Sequence, residues 1–216
     1  MFVKDIMTRD PVTVRPDSDP LAALAILKCA DFRRLPVIDS DGNLVGIVDR
    51  ADLEIFLSKA GSPGVMKRQH RVDQVVRPSA ITVSPGCPLE EAAELMVTHK
   101  VGSLPVVEGD HLIGIVTDTD IFSQFAHVLG AGTNWLRLTV QVPNVPGALA
   151  DLTMRIGQEG GNITSVVAYD EGDSHWINLV LRVQDASRET VLYAVAGHPG
   201  MRVLNLWDRG EASSPA

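Results

Sequence analysis

The sequence is short of what several protein classes require. It holds two cysteines, Cys29 and Cys87, in 216 residues. That is too few for a disulfide framework, and neither belongs to a CxxC pair, so the reducing cytoplasm is the expected compartment. No apolar run approaches the ~18 residues that a membrane span needs. The opening MFVKDIMTRDP lacks the basic-then-apolar pattern of a secretion signal. Base is scarce too: 19 Lys and Arg stand against 27 Asp and Glu, for a net charge of −8. This argues against a dedicated nucleic-acid binder, whose affinity comes largely from neutralising phosphates. The six histidines show no HxH, HExxH or Cys/His metal spacing, and GxSxG, P-loop and GxGxxG motifs are missing. The expectation is therefore no catalytic residue, no metal and no enzyme. What remains is 45% hydrophobic and 21% charged, close to the globular mix of about 45–50% and about 25%.

The informative presence is internal similarity. Val12-Thr13-Val14-x-Pro16 returns as Ile81-Thr82-Val83-x-Pro85, and Pro20-Leu21 returns as Pro88-Leu89. Leu35-Pro36-Val37-Ile38-Asp39 returns as Leu104-Pro105-Val106-Val107-Glu108, and Gly46-Ile47-Val48-x-x-x-Asp52-Leu53 as Gly114-Ile115-Val116-x-x-x-Asp120-Ile121. Each unit reads as a β-branched run and a Pro-bearing turn, then a helix with Leu21, Leu24 and Leu27 or Leu89, Ala92, Ala93 and Met96 on one face. Two strands around a polar turn follow, then a closing helix from near Asp49 or Thr117. Each repeat is β-α-β-β-α and too small to bury much core alone, so the pair is expected to pack face to face. Cys29 reads as a core residue of its helix, and Cys87 as a turn residue.

After His127 the pattern changes. Gly130-Ala131-Gly132 reads as a joint. Trp135–Val142 alternates as a half-buried strand, and Pro143–Gly147 turns into a helix carrying Leu149, Leu152 and Ile156. A hairpin of Asn162–Asp170 and Ser174–Val183, a helix over Ser187–Ala196 capped by Ser187, and a strand over Val203–Trp207 complete a ferredoxin-like βαββαβ order.

The repeated blocks, over roughly residues 1–126, resemble the cystathionine-β-synthase (CBS) domain, and two in tandem resemble a Bateman module. The Pro146-Gly147-Ala148-Leu149-Ala150 turn with Gly161-Asn162-Ile163 resembles an ACT domain over about 134–208. The order CBS–CBS–ACT is similar to that of bacterial acetoin-utilisation regulators. The implied fold class is α+β, with CBS repeats at 1–68 and 69–129, a linker at 130–133, the ACT-like domain at 134–208 and a tail at 209–216. The resemblance implies a regulatory ligand, AMP, ADP, ATP or a related adenosine compound, bound in a cleft between repeats. It also implies a homodimer or higher oligomer and amino-acid or other small-ligand binding by ACT units.

Thr117-Asp118-Thr119-Asp120 carries the strongest candidate site. By itself it reads as a helix cap, Thr with a carboxylate three residues on. A helix N-terminus also suits a phosphate. The resemblance gives Thr117 and Thr119 the phosphate hydroxyls and Asp120 the ribose contact. It adds Thr8, Val12, Thr13 and the cations Arg33 and Arg34 to the same cleft. The first repeat keeps Asp52 but puts Asp49 where the hydroxyl should stand, and a carboxylate there repels phosphate. Its cleft, with Ile81, Thr82 and Ser103, is expected to be the weaker. In the ACT-like unit, Asn144, Gly147, Asn162 and Ile163 match ligand-loop positions. Asn144 stands where the family often has an acid, which favours dimerisation over amino-acid capture. Gly147 by itself reads as a residue permitting close helix–strand approach. A structural or assembly protein with vestigial clefts is the rival reading.

Overall fold

Proline, glycine and periodicity set the elements, and the computed structural model follows them closely. It describes residues 1–59, 70–78, 80–130, 135–170, 172, 175–196, 198 and 200–208. The expected boundary at 68/69, residues 131–133 of the linker and the tail at 209–216 lie outside the described residues. The chain divides into two units, Met1–Gln124 and Phe125–Ala216.

In the first unit, α1 (Val3–Ile6) and β1 (Thr8–Arg9) precede the first repeat, made of α2 (Pro20–Cys29), β2 (Arg34–Ile38), β3 (Leu44–Asp49) and α3 (Arg50–Lys59). Helix α2 starts where Asp19 accepts from the Leu21 N–H at 2.8 Å, with Pro20 at the first helical position. It buries Pro20, Ala23 and Leu27 and leaves Cys29 exposed. The expectation of a core Cys29 fails because the buried stripe is narrower than the apolar run. The β2–β3 turn is tied by Asp39, whose carboxylate accepts from the Asp41 and Asn43 N–H groups, each at 2.9 Å. The second repeat follows the same plan with α4 (Leu89–His99), β4 (Ser103–Glu108), β5 (His111–Thr117) and α5 (Asp118–Val128), the last running across the unit boundary. The leading strand of each repeat is reduced to one parallel bridge, Val14 to Val37 and Val83 to Val106. Pro16 and Pro85, two residues on, have no N–H to continue a ladder.

The segment preceding each repeat docks on the other one. Strand β1 pairs Thr8 with Ile115 and Arg9 with Gly114 of β5, and Val3 and Met7 sit in the second repeat's core with Leu104, Val106 and Val116. Val72 enters the first repeat's core, and Arg77 exchanges backbone hydrogen bonds with Ile47 at 2.9 and 3.2 Å. Two glycines of the repeated motif make this approach feasible. A Cβ at Gly114 would stand 2.8 Å from Met7 Sδ and 3.0 Å from the Thr8 carbonyl, and one at Gly46 would collide with the Arg77 carbonyl. The two hairpin turns also join, Leu44 N–H to the Asp110 carbonyl at 2.9 Å and Leu112 N–H to the Gly42 carbonyl at 3.1 Å. The repeats are thus interlocked, which supplies the core that neither could build alone.

The second unit is β6 (Leu136–Pro143), α6 (Ala148–Gln158), β7 (Asn162–Tyr169), β8 (Trp176–Gln184), α7 (Arg188–Ala196) and β9 (Arg202–Asp208). Its antiparallel sheet has the order β7-β8-β6-β9. Leu138, Val140 and Val142 of β6 and Leu179, Leu181 and Val183 of β8 face Leu152 and Ile156 of α6 and Val191 and Val195 of α7. Ser187 accepts from the Thr190 N–H at 3.2 Å, the cap the sequence indicates. Gly147 opens α6 at φ +93°, with nothing within 4 Å of a built Cβ. Its requirement is the left-handed backbone, not the close approach expected of it.

Candidate ligand-binding clefts

At the β5–α5 junction the chain caps itself reciprocally. Asp120 Oδ2 accepts from the Thr117 N–H at 2.8 Å and from its hydroxyl at 2.7 Å, while the Asp120 N–H donates to Thr117 Oγ1 at 3.2 Å. Asp120 Oδ1 makes no hydrogen bond among the described residues and stays available to accept from a ligand hydroxyl. Thr119 bonds to Asp118 Oδ1 through both its N–H, at 2.7 Å, and its hydroxyl, at 3.2 Å. Thr8 lies on the strand beside β5, exposed. Val12 is exposed and Thr13 half-buried.

The equivalent junction of the first repeat is built on ion pairs. Asp49 caps α3 by accepting from the Ala51 N–H at 2.9 Å, and its other oxygen accepts from Arg34 Nε at 3.0 Å. The Arg77 guanidinium reaches the Asp52 carboxylate at 2.8 and 2.7 Å. That contact, joined by the charge of Asp49, holds Arg77 above the ordinary arginine pKa. Two acids thus meet two arginines. The expected repulsion of a phosphate by Asp49 is offset by Arg34, and the carboxylate in the ribose-type position, Asp52, is already occupied. Arg77 was not among the residues singled out from sequence. Its signal is the repeat offset itself, which aligns Arg77 with Thr8, 69 residues earlier.

Arg34 and Ser103 each sit across their own hairpin, opposite Asp49 and Thr117 respectively. Neither contact carries its residue over to the other repeat's cleft. The Ser103 hydroxyl is buried without a hydrogen-bond partner among the described residues. Arg33 is exposed and lends its carbonyl to the Arg50 N–H at 2.9 Å, while Ile81 and Thr82 are half-buried.

The models of known families match this architecture. The CBS domain matches residues 3–59 and 72–127, and the TTHA0829-like ACT domain matches residues 134–206. The chain belongs to the CBS-domain family. It carries a tandem CBS pair followed by an ACT-type domain. A CBS domain-containing protein of Dictyostelium discoideum is 35% identical over 136 residues, 60% of this chain and 94% of its own length. The chain spans only 24% of the inosine-5′-monophosphate dehydrogenase of Mycobacterium tuberculosis, at 34% identity. Among solved structures, a protein assigned to acetoin utilization (AcuB) from Vibrio cholerae aligns with a TM-score of 0.53 and 32% identity, covering 60% of this chain and 93% of that one. CBSX2, in complex with AMP, aligns at 0.52 and 30%, covering 59% and 98%. The MJ0100 CBS pair, in complex with 5′-methylthioadenosine and S-adenosyl-L-methionine, aligns at 0.51 and 26%, covering 59% and 97%.

In the ACT-type domain, Asn144 and Asn162 are exposed and Ile163 packs against the domain core. Among the described residues there is no group of three or more metal-ligating side chains, and no helix is long and apolar enough to cross a membrane. The Cys87 thiol is pushed up by burial and then by Glu91 and Glu90, the reverse of an activated nucleophile.

Proposed function

We propose that the protein is a non-catalytic regulatory sensor that binds AMP, ADP, ATP or a related adenosine ligand in the Asp120 cleft. The observation that carries this reading is the difference between the two junctions. Asp120 keeps an oxygen that no guanidinium among the described residues touches, beside a helix N-terminus and the hydroxyls of Thr117 and Thr119, whereas both oxygens of Asp52 lie against the Arg77 guanidinium. Thr8, Val12, Thr13 and Arg33 complete the proposed site, and Arg34 joins it on release from its ion pair with Asp49. Asp52, Ile81, Thr82 and Ser103 form the weaker one. The AMP and adenosyl complexes of CBSX2 and MJ0100 support the ligand class. The ligand acts on a downstream protein to the extent that it binds two states of the module unequally.

The ACT-type domain serves dimerisation in preference to amino-acid binding, for which Asn144, Gly147, Asn162 and Ile163 are the candidate ligand positions. Exposed Ile55 on α3 and Phe122 on α5 support a further contact between copies. The domain limits proposed are those read from the repeats, and the compartment proposed is the cytoplasm. Calorimetry of the purified chain against AMP, ADP, ATP and S-adenosylmethionine tests the reading. Saturable heat with at least one of them, lost in Asp120→Ala, is expected. No heat across the panel returns the protein to the assembly reading, with vestigial clefts.

A further inference from the structure

Helix α5 belongs to both units. It begins at Asp118, on the proposed nucleotide site, and ends at Val128, beyond the boundary between Gln124 and Phe125. Its 11 residues include neither glycine nor proline, so nothing kinks it, and at about 1.5 Å per residue it is a rod of about 16 Å. Its first turn spends its own hydroxyls. Thr117 Oγ1 donates to Asp120 Oδ2 at 2.7 Å, and Thr119 Oγ1 to Asp118 Oδ1 at 3.2 Å. A hydroxyl carries a single proton. A phosphate can take these two donors only by turning them away from the carboxylates, so the first turn differs between the free and the bound state.

The other end of the helix is clasped within the second unit. The Leu129 N–H donates to the Phe125 carbonyl at 2.9 Å and the Gly130 N–H to the His127 carbonyl at 2.8 Å. Gly130 turns left-handed at φ +75°, and its carbonyl accepts from Trp135 Nε1. A Cβ on Gly130 would stand 2.7 Å from Arg182 Cδ, so the chain leaving α5 lies directly on β8. Arg182 is stacked on the Trp135 ring at 3.6 Å, and the Trp135 and Trp207 rings are 5.2 Å apart. Beside this clasp, Leu129 lines a cavity of about 240 Å³ together with Val167, Tyr169 and Val180. That space lets the helix end shift without the collisions a close-packed interior would impose.

We propose that α5 couples the two units, so that ligand capture at its first turn displaces its last turn over the ACT-type sheet. This rests on the reading of the Asp120 cleft as the nucleotide site and names the route of its output. A helix shift on the order of 1–2 Å is the usual size of such a switch. By linkage, a molecule that binds the second unit and favours one position of the helix end alters the affinity of the cleft by the same factor that the nucleotide alters its own.

All three tryptophans, Trp135, Trp176 and Trp207, lie in the second unit, so tryptophan emission of the full chain reports on that unit. Titration with AMP, ADP, ATP and S-adenosylmethionine, followed by calorimetry, emission and hydrogen exchange of the β6 and β8 amides, tests the coupling. A ligand that gives saturable heat is expected to change the emission with the same midpoint and to shift the exchange of those amides. Leu129→Ala and Trp135→Phe, which loosen the clasp at its two contacts, are expected to keep the heat and lose most of the emission and exchange response. Leu129→Met, which keeps an apolar side chain over the cavity, retains the response. Saturable heat with silent emission and unchanged exchange overturns the coupling and leaves the cleft reading in place. A full response in both Leu129→Ala and Trp135→Phe overturns the route through α5. No heat with any ligand overturns the cleft reading itself, and the coupling with it.

Discussion

One carboxylate position, used differently in the two repeats, governs behaviour at the scale of residues. Asp120 keeps an oxygen for a ligand hydroxyl, and a hydrogen bond to a charged group is worth about 1.5–3 kcal/mol. Asp120→Ala should therefore weaken adenosine-ligand binding by roughly ten- to a hundredfold, and Thr117→Ala by less, both read by calorimetry. Asp52→Ala should leave that affinity where it is. The more searching variant is Arg77→Thr, which gives the first cleft the residue that Thr8 provides at the aligned position of the other. It should release Asp52 and add a second binding event without altering the first. A single unchanged isotherm would show that the ion pair is not what closes that cleft. The Thr117–Asp120 pair was legible in the sequence because its four residues form one turn. The Arg77–Asp52 pair spans 25 residues and depends on where the segment before the second repeat docks.

Among the elements, the exchanged segments are the most exposed to test. Gly46 faces the carbonyl of Arg77 and Val76 Cγ1 at 2.6 Å, so an added methyl meets backbone that cannot swing aside. Gly46→Ala should cost about 1–3 kcal/mol, the usual range for overpacking, measured by urea unfolding. A neutral result would mean that the 70–78 segment does not press on β3. The β2–β3 turn gives a pH test. Hydrogen bonds to Asp39, the Asn43 N–H first, hold its carboxyl below the ordinary value. A depressed folded pKa contributes stability that is present above the unfolded value of about 3.9 and lost as pH falls through the folded one. The melting-temperature gap between the native chain and Asp39→Ala should hold steady from neutral pH down to about 5. It should then narrow as the acid limb is entered below about 4. Hydrophobic spacing placed the helices well, since a helix that buries one face must space its apolar residues by threes and fours. It did not tell which apolar positions stay outside. Cys29 and Leu27 lie two residues apart in α2, and only Leu27 reaches the core.

For the molecule as a whole, a cleft ligand should act through linkage. A saturating adenosine ligand at about 100 times its Kd adds about 2.7 kcal/mol to the stability of the unit it binds, seen as a raised melting temperature that Asp120→Ala abolishes. Light scattering should find a dimer or larger particle at micromolar concentration. A particle of only the 23.3 kDa chain mass would remove the proposed pairing of copies.

The sequence alone determined the two repeats, their β-α-β-β-α plan, the ferredoxin-like order of the third unit and the cap at Thr117 and Asp120. All of these are written in residues close together along the chain, where spacing and turn chemistry act directly. Only the tertiary structure decided that each leading segment crosses to the other repeat, that Arg77 fills the place beside Asp52, and that Gly130 comes to lie against Arg182. Those outcomes depend on register between segments far apart in sequence. A one-residue slip would turn every side chain of a strand to the opposite face, so composition and local periodicity carry no trace of which pairs will meet.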